Sequence, residues 1–362
     1  MKTERWVHID SIRGLAAIAV IYFHTAEFAH KRGLVSSGIE NFIFTVLVDY
    51  VDLGKVAVAL FFAVSGFVIP FSLLRPQTTP LRNFVVSRFF RLYPAYWVSI
   101  LLALVFLFAL QGKGVSIVAI VANITMLQQF VGQENLIGVY WTLQIELIFY
   151  AVSAAMFAAK VLHKPQAAFW ASVFFIACAL ALAVVRFILE KKLPVALPLA
   201  LSVMFWGLSW RYRLAVDSSD RDNRLALGLT AILLIMVPVI SILAYNVDQG
   251  FGETWYRYTL SYYSAIGLFV LLTTKVKITN PVFVKLGLIS YSIYLLGPIA
   301  QVLVQNAIGV DRLAHVPIHL VILVSTLVTI AAAWAVYRFV EHPSQSFAKR
   351  LTSMRAVAPE AI

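Results

Sequence analysis

Charge is what this 362-residue chain has least of. Asp, Glu, Lys and Arg together make up 13% of it, about half the share in an ordinary soluble domain, while 61% of the residues are hydrophobic. A soluble enzyme of that composition would precipitate, so the chain is predicted to reside in a bilayer. Cysteine is nearly absent: Cys178 stands alone within an apolar run, which excludes an internal disulfide and a thiolate metal cluster. No metal-ligand spacing and no Gly-rich nucleotide loop occurs, so neither a metal nor a bound cofactor is expected. Acidic residues, 17 against 29 basic ones, leave a formal charge of +12. In a soluble protein that excess would raise the question of nucleic acid. In a membrane protein it reflects basic cytoplasmic loops, and no nucleic-acid partner is expected. The apolar stretch 14–23 is not read as a secretory signal, because Glu4 and Asp10 interrupt the basic segment before it and further apolar segments follow to the end of the chain.

What the chain has in abundance is apolar runs of bilayer length, at about 12–29, 54–74, 90–110, 139–159, 167–189, 194–210, 225–245, 258–274, 286–306 and 316–338. The expectation is an all-α, polytopic transmembrane helix bundle of about ten spans, forming one domain over residues 1–343 with a short cytoplasmic tail at 344–362. Residues 115–130 form an eleventh, shorter stretch holding Asn123, Gln128 and Gln129. If it does not cross and both termini are cytoplasmic, twenty of the 29 Lys and Arg residues lie inside and nine outside. A full crossing would reverse the bias. The positive-inside rule therefore favours ten spans, with 115–130 re-entrant or interfacial.

Ionisable residues at membrane depth are costly and tend to mark function. Arg13 and His24 are eleven residues apart, which returns almost to the same helical direction, about 16 Å further along the axis. Asp10 and Glu27 continue the stripe at helical spacing. A cytoplasmic anchor and a snorkelling histidine would also explain this pair. Thr142, Glu146 and Tyr150 form a second polar stripe at i, i+4 and i+8 on an otherwise apolar segment that begins at Trp141. A carboxylate there needs a partner, and His24 or Arg13 would serve as one; a purely structural Glu–Arg pair is the alternative. Ser65-Gly66, within an aromatic run, permits close helix packing or approach of a ligand to the backbone. Arg88 and Arg91, three residues apart before a span, have the spacing to hold a phosphate, although topology alone would place arginines there.

Ile9-Asp10-Ser11-Ile12-Arg13-Gly14-Leu15 with His24, then Phe61-Phe62-Ala63-Val64-Ser65-Gly66-Phe67, the run from Arg88 to Pro94, Trp141-Thr142-Leu143 with Glu146 and Tyr150, Ile289-Ser290-Tyr291-Ser292-Ile293-Tyr294-Leu295 and the closing Arg338-Phe339-Val340-Glu341-His342-Pro343 occur in this order. The combination resembles the acyltransferase-3 family, membrane-bound O-acyltransferases of bacterial glycans and related acceptors. The resemblance covers about residues 9–343. Many members have a histidine after the Ser-Tyr-Ser-x-Tyr-Leu stretch, where this chain has Gly297-Pro298.

The resemblance implies a multi-pass protein of the bacterial inner membrane. It would take an acyl group from acyl-CoA, acetyl-CoA in the simplest case, on the cytoplasmic side and pass it to a hydroxyl of a sugar or lipid-linked glycan. Acyl-CoA is then a co-substrate, and donor, glycan acceptor and membrane lipids are the expected partners. The chemistry requires a base near neutral pKa to take the hydroxyl proton, and His24 is the candidate, as base or as covalent acyl carrier. Glu146 would orient it or stabilise its imidazolium, and Arg13 would stabilise charge along the donor channel. Arg88, Arg91, Ser65, Trp141 and Tyr150 are the donor-binding candidates; Asp10, Ser290 and Tyr294 are further site candidates. A secondary transporter or flippase would use the same intramembrane His, Glu and Arg, but no matched pair of broken segments in two halves points to inverted repeats.

Overall fold

The computed structural model describes residues 6–34, 38–247, 253–309 and 312–353, and every regular element among them is helical. The α-helices are α1 (Val7–Lys31), α2 (Gly38–Thr45), α3 (Leu53–Val68), α4 (Pro80–Ala103), α5 (Ile117–Ile124), α6 (Trp141–Ala158) and α7 (Pro165–Leu189). They are followed by α8 (Ala196–Arg213), α9 (Asp220–Tyr245), α10 (Trp255–Thr274), α11 (Pro281–Leu288), α12 (Ser290–Ile308), α13 (Ile318–Val336) and α14 (His342–Ser353). Seven helical stretches among the described residues are long and apolar enough to cross a membrane, eight if α11 and α12 count as one interrupted span. Each apolar run of the sequence falls on a helix, but α8 and α10 are not among the seven. One ends in Trp210-Arg211-Tyr212-Arg213 and the other opens with Trp255-Tyr256-Arg257-Tyr258.

The chain divides into two compact units. The first comprises Met1–Phe71 and Ile145–Leu288 and is organised around α8, which packs against α3, α7 and α9. Every residue of α8 from Pro198 to Trp210 is buried. A helix buried all round must satisfy its own polar groups. The Trp206 and Trp210 indoles donate to the hydroxyls of Thr230 (2.8 Å) and Thr273 (3.0 Å), and the Ser172 hydroxyl donates to the Ser202 carbonyl at 2.8 Å. α1 lies against α3 and α11, and α10 against α3 and α9.

The second unit comprises Ser72–Gln144 and Ile289–Ile362. α12 packs on α13 and α4, and α14 on α4. Residues 344–353, expected as the start of a tail, thus belong to a packed helix; residues 354–362 lie outside the described residues. The helix of α4 continues through a π turn at Leu104–Phe108 to Gln111 and stops at Gly112, whose φ of 66° suits a residue without a side chain.

The longest helix in the segment 115–130 is the eight-residue α5, followed by a 3-10 turn at Gln128–Val131; α5 gives about 12 Å of helix against a hydrocarbon core of about 30 Å. Three aromatic donors of α4 receive the C-terminal carbonyls of α5: Tyr96 OH binds the Asn123 carbonyl (2.7 Å), Trp97 Nε1 that of Ile124 (3.0 Å) and Tyr93 OH that of Thr125 (3.0 Å). These orphan carbonyls need partners where water is excluded. Ile117, Val118 and Val121 are exposed, whereas the buried Asn123 amide donates to Ala119 and Glu134 and its carbonyl accepts from the Leu136 N–H. Asn123 therefore holds the fold of the segment, while Ile117, Val118 and Val121 face outward.

Two glycines set the closest helix contact. A methyl group added at Gly66 would meet the Met204 carbonyl oxygen at 1.7 Å, and one at Gly207 the Ala63 carbonyl oxygen at 2.2 Å. The α3 and α8 backbones touch reciprocally, as small residues permit in membrane helices. Gly66→Ala and Gly207→Ala are each expected to destabilise the protein by about 1–3 kcal/mol through overpacking. Gly228→Ala, at an exposed α9 position with open space around it, is expected to leave stability unchanged or raise it by up to ~1 kcal/mol. Thermal unfolding in the same detergent compares the three.

Candidate active site

α1 is one unbroken helix, so Asp10, Arg13, His24 and Glu27 share it as the spacing required. A methyl added at Gly54 would come within 2.6 Å of the Phe23 ring, so that ring lies directly on α3. His24, the next residue, meets the Phe23 ring edge-on with centroids 5.4 Å apart. The His24 side chain is 36% exposed, with Nδ1 3.7 Å from the Glu27 carboxylate. Glu27 also accepts from Lys31 Nζ at 2.7 Å. The carboxylate beside His24 in this arrangement is thus three residues on along its own helix. At the other end of α1, Asp10 and Arg13 are half-buried, and the Asp10 backbone carbonyl would be 1.9 Å from a methyl added at Gly287, so α1 and α11 meet backbone to backbone there.

Glu146 is half-buried on α6 and accepts a 2.5 Å hydrogen bond from Tyr150 OH, one turn on. That bond holds the two together as the i, i+4 stripe predicted. Ser65 is half-buried on α3, and its neighbour Gly66 is spent on the contact with α8, so close packing accounts for this pair.

In the second unit, Arg88 and Arg91 lie on one side of α4, both half-buried. Arg88 Nη2 donates to Ser72 Oγ at 3.2 Å, and its guanidinium lies 5.4 Å from the Phe84 ring centre. Arg91 Nη1 is 4.0 Å from Glu341 Oε1. Trp141 is half-buried at the start of α6, and the hydroxyl of its neighbour Thr142 meets Tyr294 OH at 2.8 Å. The rest of the Ser-Tyr-Ser-x-Tyr stretch is engaged in the same way: Tyr291 OH donates to the Leu92 carbonyl at 2.9 Å, Ser292 Oγ to Glu341 at 2.8 Å, and Ser290 is fully buried. Glu341, itself 0% exposed, also accepts from Gln345 at 2.9 Å. It gathers α12, α14 and Arg91 around one carboxylate.

Sequence reasoning missed the most deeply paired charges of the first unit. Asp52 caps α3 by accepting from the Lys55 backbone N–H at 2.9 Å, and its carboxylate also binds Lys55 Nζ at 2.6 Å and Arg257 Nη2 at 2.8 Å. Asp52 and Arg257 are 2% and 6% exposed. Asp52 adopts a left-handed backbone, φ 45° and ψ 77°, which is uncommon outside glycine and held here by the ion network. Nearby, His30 Nε2 and Asp49 Oδ2 are 2.9 Å apart. An arginine at the start of α10, just before its apolar run, was a visible signal, but its partner lies 205 residues away. Among the described residues, no group of three or more His, Cys, Asp or Glu gathers to hold a metal ion.

The chain can be compared with known proteins on this basis. It is 29% identical over 160 residues to the acyltransferase MdmB of Streptomyces mycarofaciens, a match that covers 40% of this chain and 38% of that protein's length. No solved structure matches. The acyltransferase-domain family matches residues 6–338, which takes in both units and every candidate residue above, so the chain belongs to the acyltransferase-3 family.

Proposed function

We propose that the protein is an integral membrane O-acyltransferase that moves an acyl group, acetyl in the simplest case, from acyl-CoA at the cytoplasmic face to a hydroxyl of a sugar or lipid-linked glycan. The observation that carries this reading is His24: a partly exposed imidazole within an apolar helix, with a carboxylate 3.7 Å from Nδ1 in a chain of acyltransferase lineage. Nε2 takes the hydroxyl proton as the acceptor oxygen attacks the thioester carbonyl. The new C–O ester bond forms, the C–S bond breaks, and the proton passes to the departing thiolate. Glu27, on the Nδ1 side of the ring, and Glu146, steadied by Tyr150, stabilise the imidazolium. In the covalent variant of this route His24 carries the acyl group first. Arg13 offsets charge on the donor. The setting is a bacterial cell membrane crossed ten times with both termini inside, α8 crossing as a buried span, α10 beside it, and residues 115–130 dipping in and out on the outer side.

With Cys178 replaced by Ser, cysteines introduced at Lys113 and Gln133 are expected to react with an impermeant maleimide from the outer side only; reaction from opposite sides would reject ten spans. His24→Ala is expected to lower acyl transfer by about 10²–10⁴-fold with insertion unchanged, and Glu146→Gln to impair it severely. Thiol release from acetyl-CoA in proteoliposomes measures both, and near-normal turnover of the His24 variant would remove it as base or carrier. A radiolabelled acyl group retained on denatured wild-type protein but not on His24→Ala would mark the covalent route.

The phosphates of coenzyme A would be rejected by the bilayer core and need a basic rim. Arg88 and Arg91, both on α4, supply that rim, with Trp141 of the same unit as a further donor contact. Arg88→Ala and Arg91→Ala are each expected to raise KM for acyl-CoA by about 1.5–3 kcal/mol, roughly ten- to hundredfold, with little change for the acceptor. Titrating acyl-CoA against equal amounts of inserted protein tests this. An unshifted KM with lower yield would reduce the pair to topology anchors.

A further inference from the structure

A cavity of about 350 Å³ opens in the first unit where the segment before α3 meets the start of α10, lined by Thr45, Asp49, Tyr50, Thr254, Tyr256 and Arg257. None of these residues has a part in the mechanism above. We propose that it binds a neutral pyranose ring and is the docking site of the sugar acceptor. This rests on the acyl-transfer reading for the word acceptor, and on the cavity alone for the word sugar.

The lining decides the ligand class. The Tyr50 and Tyr256 rings lie 5.5 Å apart, inclined at 36°, and Tyr50 is 51% exposed. Aromatic rings so presented offer flat apolar faces to the C–H side of a sugar, with polar handles beside them. The remaining four side chains carry hydroxyl, carboxylate and guanidinium groups, and none is aliphatic, which disfavours an acyl chain or an apolar ligand. An anion is disfavoured as well: the Arg257 charge is already met by Asp52 at 2.8 Å, and the lining contributes the Asp49 carboxylate. Asp49 is positioned by His30 at 2.9 Å and remains 43% exposed, so it retains acceptor capacity for ligand hydroxyls. Thr254 Oγ1 is buried without a hydrogen-bond partner among the described residues. The volume falls within the range of small-ligand sites.

Its place along α1 suits the role. His30, which orders Asp49, lies six residues beyond His24, about 9 Å along the same helix axis, so a saccharide in the cavity lies near the end of α1 that carries His24. On the proposed topology this is also the outer end, where a glycan would arrive.

Saturation-transfer NMR on the protein in phosphatidylcholine nanodiscs, free of sugar-headed detergent, tests the site with the methyl glycosides of glucose, galactose, mannose and N-acetylglucosamine. Saturation transfer to ring C–H protons of at least one glycoside is expected, falling at least fivefold in Tyr50→Ala, Tyr256→Ala and Asp49→Asn, and retained in Tyr50→Phe and in His24→Ala. No signal with any of the four, or a signal that survives both tyrosine-to-alanine changes, would overturn the site. Thiol release from acetyl-CoA with the same glycosides separates the two claims. Release without tyrosine-dependent binding removes the site and leaves the enzyme, whereas tyrosine-dependent binding without release keeps a sugar site and removes its description as the acceptor's.

Discussion

Between apolar helices in lipid there is no hydrophobic force to sort one packing from another, so the geometry rests on how closely backbones can approach. In the first unit that constraint is met at the crossing of α3 and α8, where Gly66 lies on the Met204 carbonyl and Gly207 on the Ala63 carbonyl. Because α8 is enclosed on every side, α3 cannot shift without disturbing α7 and α9 as well. α1 takes its position from α3 in turn: Phe23 rests on Gly54, while Gly14 and Gly287 let α1 and α11 meet at the other end. Pinning a helix at both ends fixes its rotation as well as its depth. The direction in which His24 points, about 100° around the helix from Phe23, follows from glycines that never touch it.

The second unit is held by a different device. Its hydroxyls and indoles are aimed at main-chain oxygens: Tyr93, Tyr96 and Trp97 at the end of α5, Tyr291 at the Leu92 carbonyl and Tyr294 at the Val139 carbonyl. Where irregular backbone occurs at membrane depth it must be satisfied by protein, and aromatic side chains reach that far while adding apolar bulk. This gives the Ser-Tyr-Ser-x-Tyr stretch a structural duty whatever its part in chemistry, since each of its polar side chains that has a described bond ties α12 to α4, to Glu341 or to the approach of α6. The stretch can therefore tolerate Gly297-Pro298 beyond it without losing its anchorage.

Helix positions were legible because twenty apolar residues in a row permit little else in lipid. The stripes on α1 and α6 were legible because helical spacing alone determines them, as the Glu146–Tyr150 bond illustrates. What stayed hidden depends on tertiary meeting. Nothing in the neighbourhood of Asp52 names Arg257, and nothing near Arg91 names Glu341, because pairing across hundreds of residues leaves no local periodicity. The short α2, with Ile39 and Phe42 exposed, was hidden for the opposite reason: eight residues are too few to register as a span. Glu27 was seen as part of a stripe, but its approach to the imidazole depends on the rotamers of both side chains, which spacing does not set.

Two carboxylate–cation sites of the first unit differ in a way that separates structure from chemistry. Asp52 with Arg257 and Lys55 is almost dry and multiply bonded. Removing one partner there would strand a buried charge at a cost of about 3–5 kcal/mol, so its use is to hold the start of α3 against α10. His24 with Glu27 is looser, at 3.7 Å, and its ring is partly open. An imidazole in that position is open on one side to a substrate and has a carboxylate on the other. A group that must change its charge during turnover has to be supported by a carboxylate but not sealed in with it. By that criterion the buried network is a frame for α3 and α10, and the half-exposed histidine on α1 has the setting that the proposed base requires.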